Sequence, residues 1–145
     1  MTVTLGVFGF GLFGATTPVL ACSCAAFPAD ETKAASIAFG RADVVFLGVA
    51  TDVNAKFVRL PPARDTAFDV FTTWKGLSGH DQTVVRTAID EAACGFRFRK
   101  RGWYLVFANW DRKREVLWTN MCELTRPESE AQGLIEALDA LVQQE

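Results

Sequence analysis

Four cysteines carry the most specific chemistry in this sequence: Cys22, Cys24, Cys94 and Cys122. An even number of cysteines is typical of a disulfide framework when the protein is exported. A bridge within the C-x-C pair itself would be badly strained, because a single residue separates its two cysteines. Both remaining pairings tie this pair to Cys94 and Cys122. Each bridge would then close a long loop, worth about 4 kcal/mol in the chain-entropy model.

Free thiols would support different chemistry. Four cysteines can bind zinc, but a C-x-C pair with two isolated cysteines lacks the paired C-x-x-C spacing of zinc ribbons. A reduced C-x-C pair is also suited to copper(I) or to thiol redox chemistry, and both require that no disulfide forms. The sequence contains one histidine, His80, in a predicted turn. It shows no nucleophile–base pair, so we expect no enzymatic activity and no cofactor of the protein's own.

The first 21 residues favour the oxidised state of the cysteines. They carry no charged side chain, and residues 5–12 form an apolar run too short to span a bilayer. Val19, Leu20 and Ala21 follow as a site of the kind that signal peptidase cleaves. We therefore expect a signal peptide over residues 1–21, although it lacks the usual basic start. The mature protein would begin at Cys22 and be secreted, either extracellular or periplasmic.

The same residues partly resemble a lipobox, in which Cys22 would carry a lipid and anchor the protein to a membrane. Leu20 is atypical immediately before the small residue of such a motif. Lipidation would also consume the Cys22 thiol and leave an odd number of cysteines. Secretion is the preferred interpretation, and a membrane-anchored lipoprotein is the alternative.

Five predicted strands must position the cysteines: residues 43–53, 66–74, 82–88, 103–110 and 115–119. Gly48 lies inside the first strand, as a strongly bent barrel strand would require. In the second strand, alternation places Phe68, Val70, Thr72 and Trp74 on one face. Residues 54–65, with a Pro-Pro pair, are expected to form an exposed loop.

Two helices are predicted to flank the strands. The first has Asp30 as its N-cap and Gly40 as its terminator. The second begins at a capping box, Thr125-x-x-Glu128, and its apolar stripe comprises Leu134, Ile135, Leu138, Leu141 and Val142. We predict a mostly β fold: a five-stranded OB-fold-like barrel with a short N-terminal helix and a C-terminal helix, in one domain over residues 22–145. The four tryptophans lie on predicted strands and are expected in the core.

The charge of the mature chain gives little reason to expect nucleic acid or an anionic membrane as a partner. All 15 basic and 17 acidic side chains lie in residues 22–145, which leaves a net charge of −2. The stretch 96–101 does alternate phenylalanine with basic residues, a combination with which OB-folds bind single strands. We interpret it as a strand with Phe96 and Phe98 buried and Arg97 and Arg99 in solvent. The protein is expected to be a monomer.

Several segments resemble one known family. The chain opens with C-x-C after the predicted cleavage and continues with FLG at 46–48, FDVFTTWKG at 68–76, ACGF at 93–96, GWYLVFA at 102–108 and LWTNMC at 117–122. Residues 22–126 thereby resemble the netrin-like OB-fold family, and within it the N-terminal domain of the tissue inhibitors of metalloproteinases and their bacterial relatives. The resemblance implies the disulfides Cys22–Cys94 and Cys24–Cys122. The animal inhibitors have a third disulfide in this domain and a second disulfide-rich domain, and we expect neither in this protein.

The resemblance also implies a function that needs no catalytic side chain. In that family, the α-amino group and carbonyl oxygen of the first mature residue, here Cys22, chelate the zinc of a target metalloprotease and displace its nucleophilic water. Ser23 would enter the pocket beside the zinc, and Cys24, Ala25 and Ala26 would lie along the cleft. The resemblance further implies that the Cys22–Cys94 bridge holds this segment against Glu91, Ala92 and Ala93 as one inhibitory ridge. The alternative is a netrin-like protein-binding module, secreted or lipid-anchored, that inhibits nothing.

Overall fold

The computed structural model describes residues 22–56 and 62–144. The predicted signal peptide, 1–21, lies outside the described residues, as do residues 57–61 of the predicted loop. The described residues contain six strands and two α-helices: α1 (Glu31–Arg41), β1 (Val44–Lys56), β2 (Ala63–Lys75), β3 (Gln82–Ala88), β4 (Trp103–Asp111), β5 (Val116–Trp118), the two-residue β6 (Arg126–Pro127) and α2 (Gln132–Val142). Among the described helices, none is long and apolar enough to cross a bilayer.

Strands β1 to β5 form a closed barrel in the order β1-β2-β3-β5-β4, with β4 returning to pair with β1. All of these pairings are antiparallel except that of β3 with β5. Strand β6 pairs with the outer edge of β4. The prediction of a mostly β, five-stranded barrel with a helix at each end is therefore confirmed.

Two apolar clusters hold the fold, and β1 and β4 contribute to both. Alternate residues of a strand point to opposite faces, so Val45 packs outside the barrel and Phe46 inside it. The barrel interior comprises Val44, Phe46, Ala50, Phe68, Leu77, Val85, Phe98, Tyr104, Val106, Ala108 and Leu117. The outer cluster comprises Ala34, Ala35, Ala38, Ala42, Val45, Leu105, Phe107, Leu124, Ala131, Leu134, Ala137 and Leu138, drawn from both helices and the barrel wall.

Bulges bend the long strands around the barrel. Leu47 pairs with Thr72 and Gly48 with Val70, so Phe71 is an extra residue in β2. A Cβ atom at Gly48 would lie 2.7 Å from the carbonyl oxygen of Asp69, which explains the glycine at this bend. A second bulge falls at Trp74. Its side chain packs with the outer cluster, and its Nε1 donates to Asp139 Oδ1 at 2.7 Å. The prediction that Trp74 shares a face with Phe68 is therefore wrong, because a bulge shifts the alternation.

The predicted loop over residues 54–65 is also wrong at both ends. Strand β1 continues to Lys56 and β2 begins at Ala63, so the two strands extend into a long hairpin. Asp65 is buried and receives two hydrogen bonds from Arg86 on β3, at 2.5 and 2.8 Å. Hydrogen bonding to this carboxylate raises the pKa of Arg86.

Both helices begin or end differently from the prediction. Asp30 caps α1 as expected, accepting from the Lys33 N–H at 2.9 Å, but α1 continues through Gly40 to Arg41. The capping box at Thr125 does not form, and α2 starts at Gln132 without a side-chain cap. Thr125 is instead buried in the barrel wall, where its hydroxyl bonds to β4.

Candidate functional site

The predicted ridge begins with an extended segment at the start of the described chain. Residues 22–26 form no regular secondary structure, and Ser23, Cys24, Ala25 and Ala26 are all exposed. The segment is anchored downstream, because Phe27 packs against the outer cluster and Asp30 caps α1. It is thus fixed at its base while its side chains face solvent.

Two disulfides hold this segment on the barrel. Cys22 is bonded to Cys94 and Cys24 to Cys122, with Cα–Cα distances of 5.1 and 5.0 Å. These are the pairings that the resemblance implies. All four cysteines are used, so no free thiol is left for the alternative redox or metal chemistry in the oxidised protein.

The loop that carries Cys94 is shaped by local hydrogen bonds. A 3-10 turn spans Glu91–Ala93, and Asp90 caps it by accepting from the Ala93 N–H at 2.8 Å. Cys94 then adopts a left-handed conformation, with φ of 60°. A Cβ atom at Gly95 would lie 2.2 Å from the carbonyl oxygen of Ala88, so only glycine fits after it.

The structure places the two halves of the predicted ridge together through one bond. The Cys22–Cys94 bridge joins the first segment to the 3-10 turn, where Glu91, Ala92 and Ala93 are exposed. Glu91 also forms an ion pair with Arg97 at 3.2 Å, in which both side chains are more than 60% exposed. Such a pair contributes little to stability, and it places one acidic and one basic group at the rim of this surface.

The Cys122 loop is a third part of the site, which the sequence did not reveal. The Met121 N–H donates to the Cys94 carbonyl at 2.9 Å, and the Cys122 N–H donates to Asn120 Oδ1 at 2.7 Å. Met121 is 38% exposed beside the bridges. The position of Met121, one residue before a predicted bridge cysteine, is the sequence signal from which it could have been found.

A buried pair of threonines fixes this loop to β4. Thr119 Oγ1 donates to the Phe107 carbonyl at 2.7 Å, Thr125 Oγ1 accepts from the Phe107 N–H at 2.9 Å, and the two hydroxyls are 2.9 Å apart. Both residues are at most 5% exposed. Because these bonds bracket residues 120–124 on both sides, the position of Cys122 is set by the barrel itself.

A recess of about 400 Å³ lies under the extended segment, lined by it, the Cys122 loop and both helices. Glu123 is part of its lining, and burial raises the pKa of that carboxyl although Arg41 opposes the shift. Asn109 Nδ2 donates to Glu123 Oε1 at 3.3 Å. The recess therefore has an ionisable wall directly behind the disulfides.

Other predicted residues lie outside this site. His80 is exposed, as its predicted turn implied. Phe98 is buried and Arg97 and Arg99 are exposed, as predicted, but residues 96–99 form no strand. The expectation of four core tryptophans is wrong for two, since Trp103 is 41% and Trp110 is 48% exposed.

In comparisons with known proteins, no family model and no curated protein matches this chain.

Proposed function

We propose that this protein is a secreted inhibitor of zinc metalloproteases, acting through the α-amino and carbonyl groups of a mature N-terminal Cys22. The observation that carries the proposal is the exposed extended segment that starts at Cys22 and is bonded to the barrel at both Cys22 and Cys24. A peptide held in this way resembles a cleaved product lying in a protease cleft. The zinc belongs to the target, and the inhibitor contributes only backbone ligands.

The rigidity of the ridge supports this mechanism. Binding a loose peptide costs the entropy of ordering its backbone and side chains, and a preorganised peptide avoids most of that cost. Here two bridges, the Asp90-capped turn and the Met121–Cys94 hydrogen bond hold the segment before any partner arrives. Small side chains at Ser23, Ala25 and Ala26 leave the backbone open to a cleft.

The chelate requires a free, neutral amine at Cys22, and this gives the test. Adding one alanine ahead of Cys22 in the purified mature protein converts the Cys22 amine into an amide, and it places the free amine one residue beyond the bridge that holds Cys22 in position. We expect the inhibition constant against a susceptible zinc metalloprotease to rise at least about 100-fold, more than the loss typical of a residue that only supports a metal ligand. The matched control carries the extra alanine at the C-terminus and should inhibit normally.

Equal inhibition by both variants would show that the N-terminal amine is not a ligand. A second readout is the pH dependence. An α-amino group ordinarily titrates at about 7.7–8.0, so below that range inhibition should weaken by about tenfold per pH unit as protons compete with zinc. A non-chelating inhibitor of the same protease serves as the reference for the pH dependence of the protease itself. An inhibition constant that does not change with pH relative to this reference would argue against chelation.

The second candidate is a secreted or lipid-anchored protein-binding module that inhibits nothing. An exposed aromatic pair favours it: Phe71 is 74% exposed and packs edge-on against Trp103, with ring centroids 5.5 Å apart. Large exposed aromatic residues are characteristic of interaction surfaces. Two results together would favour this candidate. The protein inhibits no zinc protease, and it binds another partner whose binding is lost in Phe71→Ala but kept when an alanine is added ahead of Cys22.

A further inference from the structure

The two disulfides lie in contact with each other. Sγ of Cys122 is 3.7 Å from Sγ of Cys22 and 3.8 Å from Sγ of Cys94, and Sγ of Cys22 is 4.0 Å from Sγ of Cys24. Each of these distances joins atoms of different bridges. Three of the sulfurs, those of Cys22, Cys94 and Cys122, lie within 4.8 Å of one another. The sulfur atoms therefore form one cluster at the root of the ridge.

The spacing of this cluster matches a known coordination geometry. Zinc bonds to thiolate sulfur at about 2.3 Å, and in a tetrahedral site the sulfurs are then about 3.8 Å apart. Three of the four distances between the bridges already have about this length, whereas Cys24 lies outside the group of sulfurs within 4.8 Å of one another, so its thiol must move toward Cys94. Only the two covalent bonds hold sulfurs closer than a tetrahedron allows. If both bonds are cleaved, the side chains need to separate by about 2 Å, which is within the reach of a χ1 rotation.

Half of the cluster is positioned without the disulfides. The Met121–Cys94 backbone hydrogen bond joins the two loops directly, and the bond from the Cys122 N–H to Asn120 Oδ1 fixes the turn within the Cys122 loop. Neither apolar cluster in the described part of the chain contains a cysteine, so both remain complete when the bridges are cleaved. The thiols of Cys94 and Cys122 would therefore stay next to each other in the reduced protein.

The other half of the cluster lies on a segment that becomes movable when the bridges are cleaved. Cys22 is half-buried and residues 23–26 are exposed, and apart from the bridges the anchor of this segment begins at Phe27. The C-x-C pair can then adjust its position around a metal ion while the Cys94 and Cys122 thiols stay in place. A fixed pair combined with an adjustable pair allows a tetrahedral site to form with little rearrangement.

We propose that dithiol reduction converts the two disulfides into a tetrathiolate zinc site formed by Cys22, Cys24, Cys94 and Cys122. Each bridge takes two electrons and two protons from one dithiol, which leaves as a cyclic disulfide, and yields two thiols. One Zn²⁺ then binds the four sulfurs and displaces four protons. The site exists only in the reduced protein, and the proposal does not rest on the protein being a protease inhibitor.

The experiment uses the purified protein reduced without oxygen by a phosphine, which supplies no competing thiolate. Cobalt(II) is titrated first, because its visible absorption identifies tetrahedral thiolate coordination, and zinc is then titrated against a chromophoric chelator. We expect one metal ion per chain, and none in the oxidised protein. Cys94→Ser should lower the zinc affinity at least about 100-fold. Mutation of a residue that only hydrogen-bonds to a metal ligand already lowers metal affinity by about 10–100-fold, and Cys94 is a proposed ligand itself. His80→Ala is the matched control and should bind as the parent does.

Circular dichroism spectra recorded during the titrations show whether the reduced protein is folded, and the result is interpreted accordingly. A reduced protein that stays folded but gives no tetrahedral cobalt spectrum overturns the proposal. If the reduced protein unfolds, zinc must restore the native spectrum with the same stoichiometry, and failure to do so also overturns it. Undiminished binding by Cys94→Ser would show that the metal is held elsewhere.

Discussion

Glu123 is a carboxylate that the fold partly buries in the recess behind the ridge, and burying its charged form costs free energy of folding. Burial raises the pKa of its carboxyl above the ordinary value, and the nearby Arg41 only partly compensates. An acid whose pKa is raised on folding favours the folded state when it is protonated. Its contribution is fully present below the unfolded pKa and is lost as the pH rises through the folded pKa.

Glu123→Gln should therefore stabilise the protein at neutral pH and have almost no effect in acid. Because the side chain is partly exposed, solvent screening limits the gain to about 0.5 kcal/mol or less. Denaturant unfolding at neutral and acidic pH measures the difference. Glu136→Gln, on the exposed face of α2, is the control and should be neutral at both. A loss of stability at neutral pH would mean that the interaction with Arg41 outweighs burial.

The periodicity of apolar residues predicted where the strands lie. It could not predict which face of a strand every side chain occupies, because bulges shift the alternation. The alternation in β2 correctly placed Phe68 and Val70 on one face, which is the barrel interior, and then failed at Trp74 because the extra residue Phe71 shifts the faces of the residues after it. A bulge depends on the register of the partner strand, which no local pattern records. The long β1–β2 hairpin was missed for a similar reason, since Asp65 is buried only because Arg86 lies opposite it.

The ridge was predicted from the C-x-C pair and the resemblance, whereas the hydrogen bonds that hold the Cys122 loop beside it were not predicted. Thr125 illustrates the difference: its sequence context fits a capping box, but its hydroxyl bonds to the β4 backbone 18 residues away. A side chain with two available partners is assigned by tertiary packing, which local propensity does not contain. The contribution of Met121 likewise depends on the approach of two distant loops.

Thr125→Val tests the link between β4 and the Cys122 loop. The substitution keeps the shape but removes the acceptor for the buried Phe107 N–H, so we expect the free energy of unfolding to fall by about 1–3 kcal/mol. Chemical denaturation measures it. Thr73→Val, at an exposed position of β2, is the matched control and should change stability by less than about 0.5 kcal/mol. A neutral Thr125→Val would mean that the amide finds another partner.

For the molecule as a whole, two kinds of restraint act on different parts. The barrel and the helices are held by the two apolar clusters, which share β1 and β4. The N-terminal segment is held by bridges that span 72 and 98 residues. Since such bridges act mainly by restricting the unfolded chain, they add to the stability of the whole domain as well as positioning the ridge.

Replacing Cys24 and Cys122 together by serine should lower the free energy of unfolding by about 2–5 kcal/mol, as removal of a disulfide from a small domain generally does. The far-UV circular dichroism spectrum should remain native-like, because neither apolar cluster loses a side chain. Thermal and denaturant unfolding of the variant and the parent provide the comparison. A change below about 1 kcal/mol would mean that Phe27 and α1 alone hold the segment.

The placement of the bridges also sets an order of events during biosynthesis. Cys22 and Cys24 come first in the described chain, and neither has its final partner until three of the five barrel strands have followed. Cys94 appears 28 residues before Cys122, which at typical synthesis rates of about 5–20 residues per second is a delay of about 1–6 s. During that interval both early thiols compete for a single acceptor. An oxidase that acts too soon would trap Cys24 on Cys94, so faithful maturation favours either late oxidation or an isomerase.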